Sequence, residues 1–347
     1  MLKERQLNVL CLVVQLFTTT GQPVGSATLK NLGINASSAT IRNDLALLEE
    51  LGFLEKTHVS SGRIPSNKGY RYYVDHLLKP KPMPDAEYIE LRNSFGDGFF
   101  EMDDLLKKSV SILSGLTDMT TFILGPSHNE RILTDFRLIK VGHNKGMAII
   151  MTSSGNVESQ IFPIPEQLTN DDFEQMKKIV HNRFIGENFT TIYQRLRTEL
   201  PITLQKYVTA PQIVIDLLEM ILDHVFQDKV YVSGQMNLLD TADSGDLEKI
   251  KQLFMLLNND KELMDIVPQR TKDLEILIGN EINNELLDDL TLITAKYQVN
   301  DYDSGVIALI GPRQMPYDQM VGIVEGFKVE MQNQVTNYYN MLKDSDF

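Results

Sequence analysis

Apolar side chains recur at helical spacing in three segments at the start of the chain. The first predicts a helix over residues 4–19, with inward positions Leu7, Leu10, Val13, Val14 and Phe17. A second, short helix is predicted over residues 26–32. A third is capped by Ser37 or Ser38 and ends at Leu51, and its inward face is formed by Ile41, Leu45 and Leu48.

A short hairpin and a fourth helix follow. Residues 53–57 read as a strand, residues 58–62 as a turn and residues 63–64 as the returning strand. Ser66 then caps a helix over residues 67–78. The order helix, helix, helix, strand, turn, strand is typical of a winged helix-turn-helix.

A proline-rich segment separates this part from the rest of the chain. Pro80, Pro82 and Pro84 alternate with other residues, which favours an extended and semi-rigid backbone. The sequence therefore predicts a winged helix-turn-helix domain over residues 1–79 and a linker over residues 80–84.

Beyond the linker, helical and strand patterns alternate in blocks. A helical stretch covers residues 85–117, and a final amphipathic helix starts near residue 316. Strands are predicted in two groups, at 120–124, 137–141, 147–152 and 157–161, and at 229–233, 274–278, 291–297 and 305–310. This predicts an α+β multidomain fold, in which residues 85–168 and 229–347 form one α+β domain with a helical insertion at 169–228.

Net charge changes how the first domain is interpreted. A total of −14 argues against nucleic-acid binding, because phosphate contacts need local positive charge. However, the first 79 residues hold nine Lys and Arg and six Asp and Glu, a net of +3, so the remainder carries −17. The charge therefore excludes DNA binding through the whole surface but not through the first domain.

The third helix carries the residue types that reading a DNA major groove requires. Such a helix presents small or hydrogen-bonding side chains near its N-terminus, where the duplex is closest. The candidates are Ser37, Ser38, Ala39, Thr40, Arg42 and Asn43. Arg42 can reach guanine or phosphate, and Asn43 can pair with adenine. Candidate contacts to the DNA backbone or the minor groove follow in the wing and the fourth helix, at His58, Ser60, Ser61, Arg63, Lys68 and Arg71.

Other functions of this pattern stay open or are not expected. Winged helices also serve protein–protein assembly, and exposed Ser, Thr, Asn and Arg faces are common on helical hairpins. No enzyme is expected, because the chain has no glycine-rich phosphate loop and no nucleophile elbow. The six histidines show no metal-ligand spacing, so neither a metal nor a cofactor is expected.

Cysteine use and hydropathy indicate a cytoplasmic protein without a membrane segment. The single cysteine, Cys11, lies in an apolar run and allows no internal disulfide, which suits a reducing compartment. The apolar stretch from Val9 to Phe17 is too short to span a bilayer, and no export signal is expected.

Several longer stretches carry a family resemblance. They are Pro23–Leu29 (PVGSATL), Ser37–Leu45 (SSATIRNDL), Ser60–Ser66 (SSGRIPS), Gly69–Asp75 (GYRYYVD), Gly234–Leu239 (GQMNLL) and Gly305–Met315 (GVIALIGPRQM) with Tyr317. These stretches closely resemble the HrcA family of heat-inducible transcription repressors, most densely over residues 4–78.

The resemblance implies a fold and a function. The family fold is an N-terminal winged helix, a GAF-like domain and an inserted dimerisation domain, which would correspond here to residues 169–228. Its members are homodimeric repressors of chaperone operons that bind an inverted-repeat operator called CIRCE in double-stranded DNA. Their activity depends on the GroEL chaperonin, so repression lapses when misfolded clients occupy it.

The chain departs from the family pattern in three places. Ala27 stands where a basic residue is frequent, Val59 replaces a commonly polar wing residue, and Gln314 stands where a small or basic residue is more usual. These departures bear on operator affinity. The alternative function is a metabolite-sensing regulator with a ligand in the GAF-like domain.

Overall fold

The described part of the chain is an α+β fold with three separate sheets. The computed structural model describes residues 2–56, 62–96, 102–125, 132–142, 144–153, 157–226, 229–241, 247–268, 272–298 and 304–344. The α+β class predicted from the sequence is therefore confirmed.

An N-terminal unit of four helices and a two-stranded sheet comes first. Its elements are α1 (Glu4–Thr20), α2 (Ser26–Asn31), α3 (Ser38–Glu50), β1 (Leu54–Lys56), β2 (Arg63–Pro65) and α4 (Asn67–His76). Ser37 caps α3 by accepting from Thr40 N at 3.1 Å, and Ser66 caps α4 by accepting from Gly69 N at 3.0 Å. The helices and strands follow the predicted order, because each boundary is set by such local signals.

The remaining elements follow the linker, and those of the three-stranded sheet and its helices lie between elements of the five-stranded sheet. In chain order they are α5 (Asp85–Phe95), α6 (Met102–Thr117), β3 (Thr120–Leu124), β4 (Leu133–Lys140), β5 (Lys145–Thr152), β6 (Val157–Pro163), α7 (Asn170–Phe184), α8 (Phe189–Thr198), α9 (Leu200–Tyr207), α10 (Pro211–Phe226), β7 (Val230–Ser233), α11 (Gln235–Thr241), α12 (Leu247–Leu257), α13 (Asp260–Ile266), β8 (Leu274–Ile278), β9 (Leu290–Gln298), β10 (Ser304–Pro312) and α14 (Tyr317–Asp344).

A five-stranded antiparallel sheet forms the centre of the body, which comprises this sheet with α5, α6 and α11–α14. Its strand order is β7-β3-β10-β9-β8. Alternate residues of β10 face opposite sides, as the pleat requires. Ile307 and Leu309 belong to a core shared with α6, α14 and the N-terminal unit, whereas Ala308 and Ile310 pack with α11, α12 and α13. The N-terminal unit and the body therefore share one continuous hydrophobic core.

The inserted unit, residues 132–226, has its own sheet and its own core. Strands β4, β5 and β6 form their own three-stranded sheet, and its inward residues pack on helices α7–α10 in a separate core. Phe136, Ile150 and Phe162 from the strands meet Phe173 and Leu218 from the helices there. This core draws on residues on both sides of the predicted boundary at 168–169, from Leu133 to Leu222.

Candidate nucleic-acid interface

One face of α3 is open to solvent over its first two turns. Ala39, Arg42, Asn43 and Ala46 lie at helical spacing on this face and are exposed. Among the residues that the structure describes, neither the Arg42 side chain nor the Asn43 side chain has a hydrogen-bond partner. This face can therefore offer a guanidinium group and a side-chain amide to a ligand without breaking any described contact.

The first turn of α3 is small and polar. Ser37 is exposed, Ser38 and Thr40 are half-buried, and the Ser37 and Thr40 hydroxyl oxygens lie 2.9 Å apart. Short side chains allow close approach of a duplex, and the positive end of the helix dipole favours a phosphate. The structure thus brings all six candidate residues of this segment together at one helix end.

Asp44 anchors α3 to α1 from the opposite side. The residue is 4% exposed, and its carboxylate accepts from Arg5 Nε at 2.7 Å and from Gln6 Nε2 at 3.3 Å. The hydrogen bond to Asp44 raises the pKa of Arg5 above its usual value. Sequence reasoning missed this contact, although an acidic residue between the inward positions Ile41 and Leu48 was a visible signal.

Replacing Asp44 with alanine is expected to lower the free energy of unfolding by about 1–3 kcal/mol, because a buried acceptor is lost and the Gln6 amide loses its partner. DNA affinity should fall with it, since α3 loses its polar contacts with α1. Chemical denaturation and a binding titration measure the two effects. Glu50→Ala, at an exposed position of the same helix, is the control. Unchanged stability in Asp44→Ala would show that the anchor contributes nothing.

The candidate residues after α3 are not all free to contact DNA. The wing residues His58, Ser60 and Ser61 lie outside the described residues. Arg63 has a side chain that is 14% exposed, and its guanidinium pairs with Glu49 of α3 at 2.6 Å. In this arrangement Arg63 braces β2 against α3.

Lys68 and Arg71 on α4 also have internal partners. Lys68 is exposed, donates to the Leu51 carbonyl at 2.8 Å and lies 4.6 Å from the centre of the Phe53 ring. Its charge still reaches solvent. Arg71 donates to Glu281 of the body, and although burial lowers its pKa, hydrogen bonds to acidic partners raise it overall. The structure thus groups the α3 candidates, whereas it pairs Arg63 and Arg71 with acidic side chains of the protein itself.

The described ranges contain no group of three or more His, Cys, Asp or Glu side chains that could hold a metal ion. No helix in these ranges is long and apolar enough to cross a membrane. A cleft of about 570 Å³ lies where the N-terminal unit meets the body, and residues from both line it, including Lys68, Tyr70 and Arg313.

Comparison with known proteins gives full-length relatives. The family model described as the HrcA protein C terminal domain matches residues 103–321. The heat-inducible transcription repressor HrcA of Enterococcus faecalis is 45% identical over 99% of both chains, and that of Tetragenococcus halophilus is 40% identical over 99% of both. A crystal structure described as a hypothetical protein at 2.2 Å resolution shares the fold, with a TM-score of 0.59, 22% identity and coverage of 97% of this chain and 98% of that one.

The chain combines a small N-terminal unit, which has an exposed polar helix, with a large α+β body, and repressors match it over 99% of its length. This combination defines the class as a transcription regulator. Within that class, the family model and the relatives show that the chain belongs to the HrcA family of heat-inducible transcription repressors.

Proposed function

We propose that the chain represses chaperone operons by binding an inverted-repeat operator of the CIRCE type as a dimer. The N-terminal unit acts as a winged helix, and residues 37–43, the cap and first turns of α3, read the major groove. The observation that carries this proposal is the exposed face of α3, where Arg42 and Asn43 stand on a helix anchored from behind by Asp44.

A gel-shift titration tests the proposal directly. The full chain is titrated against an inverted-repeat operator and against a scrambled duplex of the same composition, at two salt concentrations. We expect tighter binding to the operator at both, because base contacts add to the salt-dependent phosphate contacts. Equal affinity for the two duplexes would contradict sequence-specific recognition.

Asn43 and Lys68 should affect binding differently. Asn43→Ala should cost about 1–3 kcal/mol at one operator position and relax the base preference there, because an amide pairs bidentately with adenine. Lys68→Ala should weaken all sequences alike and reduce the salt dependence, because it removes a charge near the backbone. Titrations with operators mutated one base pair at a time measure both effects. An unchanged base preference in Asn43→Ala would exclude this face as the reading surface.

The inserted unit is the proposed dimerisation domain. One face of its sheet packs on helices, and the other carries apolar side chains toward solvent, with Val157 and Ile161 each 60% exposed and Ile139 45% exposed. Met147, directly between Ile139 and Ile161 in register, is half-buried. An inverted repeat needs two copies related by a two-fold axis, and a self-complementary apolar face suits such a pair.

Regulation by the GroEL chaperonin completes the proposal, with the body as a GAF-like domain. Large apolar side chains exposed on α11 and α12 support it, because chaperonins bind such surfaces: Met236, Leu247, Phe254 and Met255. Adding chaperonin to purified repressor should increase the fraction that binds operator.

The metabolite-sensing alternative instead requires a small molecule that raises the melting temperature of the protein and changes its operator affinity.

A further inference from the structure

Arg71 joins α4 of the N-terminal unit to the body through several hydrogen bonds. Its Nε donates to Glu281 Oε1 at 2.9 Å, and its Nη2 donates to the Ile276 carbonyl at 2.6 Å and to the second Glu281 oxygen. Its Nη1 donates to Asp75 at 3.0 Å on α4 itself. A bidentate Arg–carboxylate pair fixes direction as well as distance, so this contact orients α4 relative to β8.

Glu281 is also held in position by a contact other than its pair with Arg71. It lies in the 3₁₀ turn Gly279–Ile282, directly after β8, and accepts from the backbone N–H of Ile278 at 2.8 Å. The carboxylate is therefore tied to the edge of the five-stranded sheet. The N-terminal unit is thus connected to a rigid element of the body.

A second contact holds the ends of α1 and α4. Gln314 Nε2 donates to the Phe17 carbonyl in the last turn of α1 at 3.0 Å. Its neighbour Arg313 donates to Asn67, the first residue of α4, and to Asp289 at 2.5 Å. The segment between β10 and α14 therefore contacts the N-terminal unit at the end of α1 and at the start of α4.

The linker adds a third contact, because it lies directly on α14. The Lys81 backbone N–H donates to the Asp318 carbonyl at 2.9 Å. Gly322 makes room for it, since a Cβ at that position would come within 1.7 Å of the Lys81 carbonyl oxygen. Prolines on both sides of Lys81 restrict the backbone. Residues 80–84 are therefore fixed against α14, and we call this segment the strap.

We propose that Arg71 and Glu281 form a positioning pair that sets the separation of operator half-sites the dimer accepts. This inference rests on the proposed function. A reading helix rigidly attached to the body has one fixed direction, and each added base pair rotates the second half-site by about 34°. A rigid dimer therefore rejects spacers that a flexible one tolerates. Arg71 serves this role through its internal partners and does not contact phosphate.

The test compares Glu281→Gln with Glu285→Gln in the full chain. Both remove one negative charge, but Glu285 is exposed and has no hydrogen-bonding or ionic side-chain partner among the described residues. Each variant is titrated against a single half-site and against inverted repeats whose spacer changes by one base pair at a time. In Glu281→Gln we expect unchanged half-site affinity and a preference for the best spacer reduced about fivefold or more. Glu285→Gln should match the wild type.

Two further variants keep the outcomes distinct. Arg71→Gln should broaden the spacer profile as Glu281→Gln does; if it instead lowers half-site affinity and salt dependence with the profile unchanged, Arg71 is a phosphate contact and the inference is wrong. Gly322→Ala, which displaces the strap, should also broaden the spacer profile. Gly115→Ala is its control, because the added Cβ meets nothing within 4 Å.

An unchanged spacer profile in Glu281→Gln overturns the inference. Failure of the proposed function would show separately, as equal binding of the wild type to operator and scrambled DNA.

Discussion

Replacing Gly69 with alanine is expected to lower the free energy of unfolding by about 3 kcal/mol or more, the upper end of the cost of overpacking. A Cβ on Gly69 would come within 2.1 Å of the Phe53 carbonyl oxygen and 3.1 Å of its carbonyl carbon. These are backbone atoms, so no side chain can rotate to relieve the contact. The same carbonyl accepts from Ser66 N at 3.1 Å, which joins the start of β1 to the cap of α4.

Operator binding should weaken with stability, because Phe53 also connects to α3. Its backbone N–H donates to the Leu48 carbonyl at 2.8 Å, so a displaced Phe53 disturbs the end of α3, the proposed reading helix. Denaturant unfolding and an operator titration measure the two losses. Gly25→Ala is the matched control in the same unit, because its added Cβ meets nothing within 4 Å. Equal stability of the two variants would show that the α4 and β1 backbones separate at little cost.

The N-terminal unit was predictable because its signals are local. Serine caps at Ser37 and Ser66, apolar spacing along α1 and α3, and the glycine and proline positions each act within a few residues of where they stand. The exposed face of α3 followed from the same spacing, since inward positions at Ile41, Leu45 and Leu48 leave Arg42 and Asn43 outside.

The partners of the basic residues were not predictable, because they come from distant parts of the chain. Arg71 is separated from Glu281 by 210 positions, and nothing in the local pattern of α4 indicates that pair. The net charge of +3 on the first domain therefore overstates the charge available to DNA, because the count leaves out Glu281 of the body, which pairs with Arg71. Arg5 and Arg63 also form ion pairs, with Asp44 and Glu49 of the same domain.

The sheet to which β4–β6 belong was not predictable for a related reason. Strands β4–β6 show clear alternation, but alternation reveals only that one face is buried and not what buries it. Strand β3 joins the five-stranded sheet, whereas the next three strands pack on helices that come later in the chain. Sheet membership depends on pairing between distant residues, which a single sequence does not display.

A charge placed on the open sheet face of the inserted unit is expected to prevent dimerisation. Ile161→Glu places a charge at the centre of the proposed dimer interface, where Ile161 pairs in register with Met147. Burying an unpaired carboxylate is costly, so the variant is expected to be monomeric at concentrations where the wild type is a dimer. Affinity for the complete operator should then fall by about 100-fold or more, because the second half-site no longer binds intramolecularly.

Single half-site affinity should not change, since α3 is untouched, and this separates lost dimerisation from damage to the reading unit. Sedimentation velocity gives the oligomeric state, and titrations with one and two half-sites give the affinities. Ile202→Glu is the matched control: it makes the same substitution in the same unit, at a residue 63% exposed on α9 compared with 60% for Ile161. Monomers in Ile202→Glu alone would move the interface to the helical side, and dimers in both variants would place it outside the inserted unit. Only monomers in Ile161→Glu with dimers in Ile202→Glu support the sheet face as the surface that brings two reading helices to one operator.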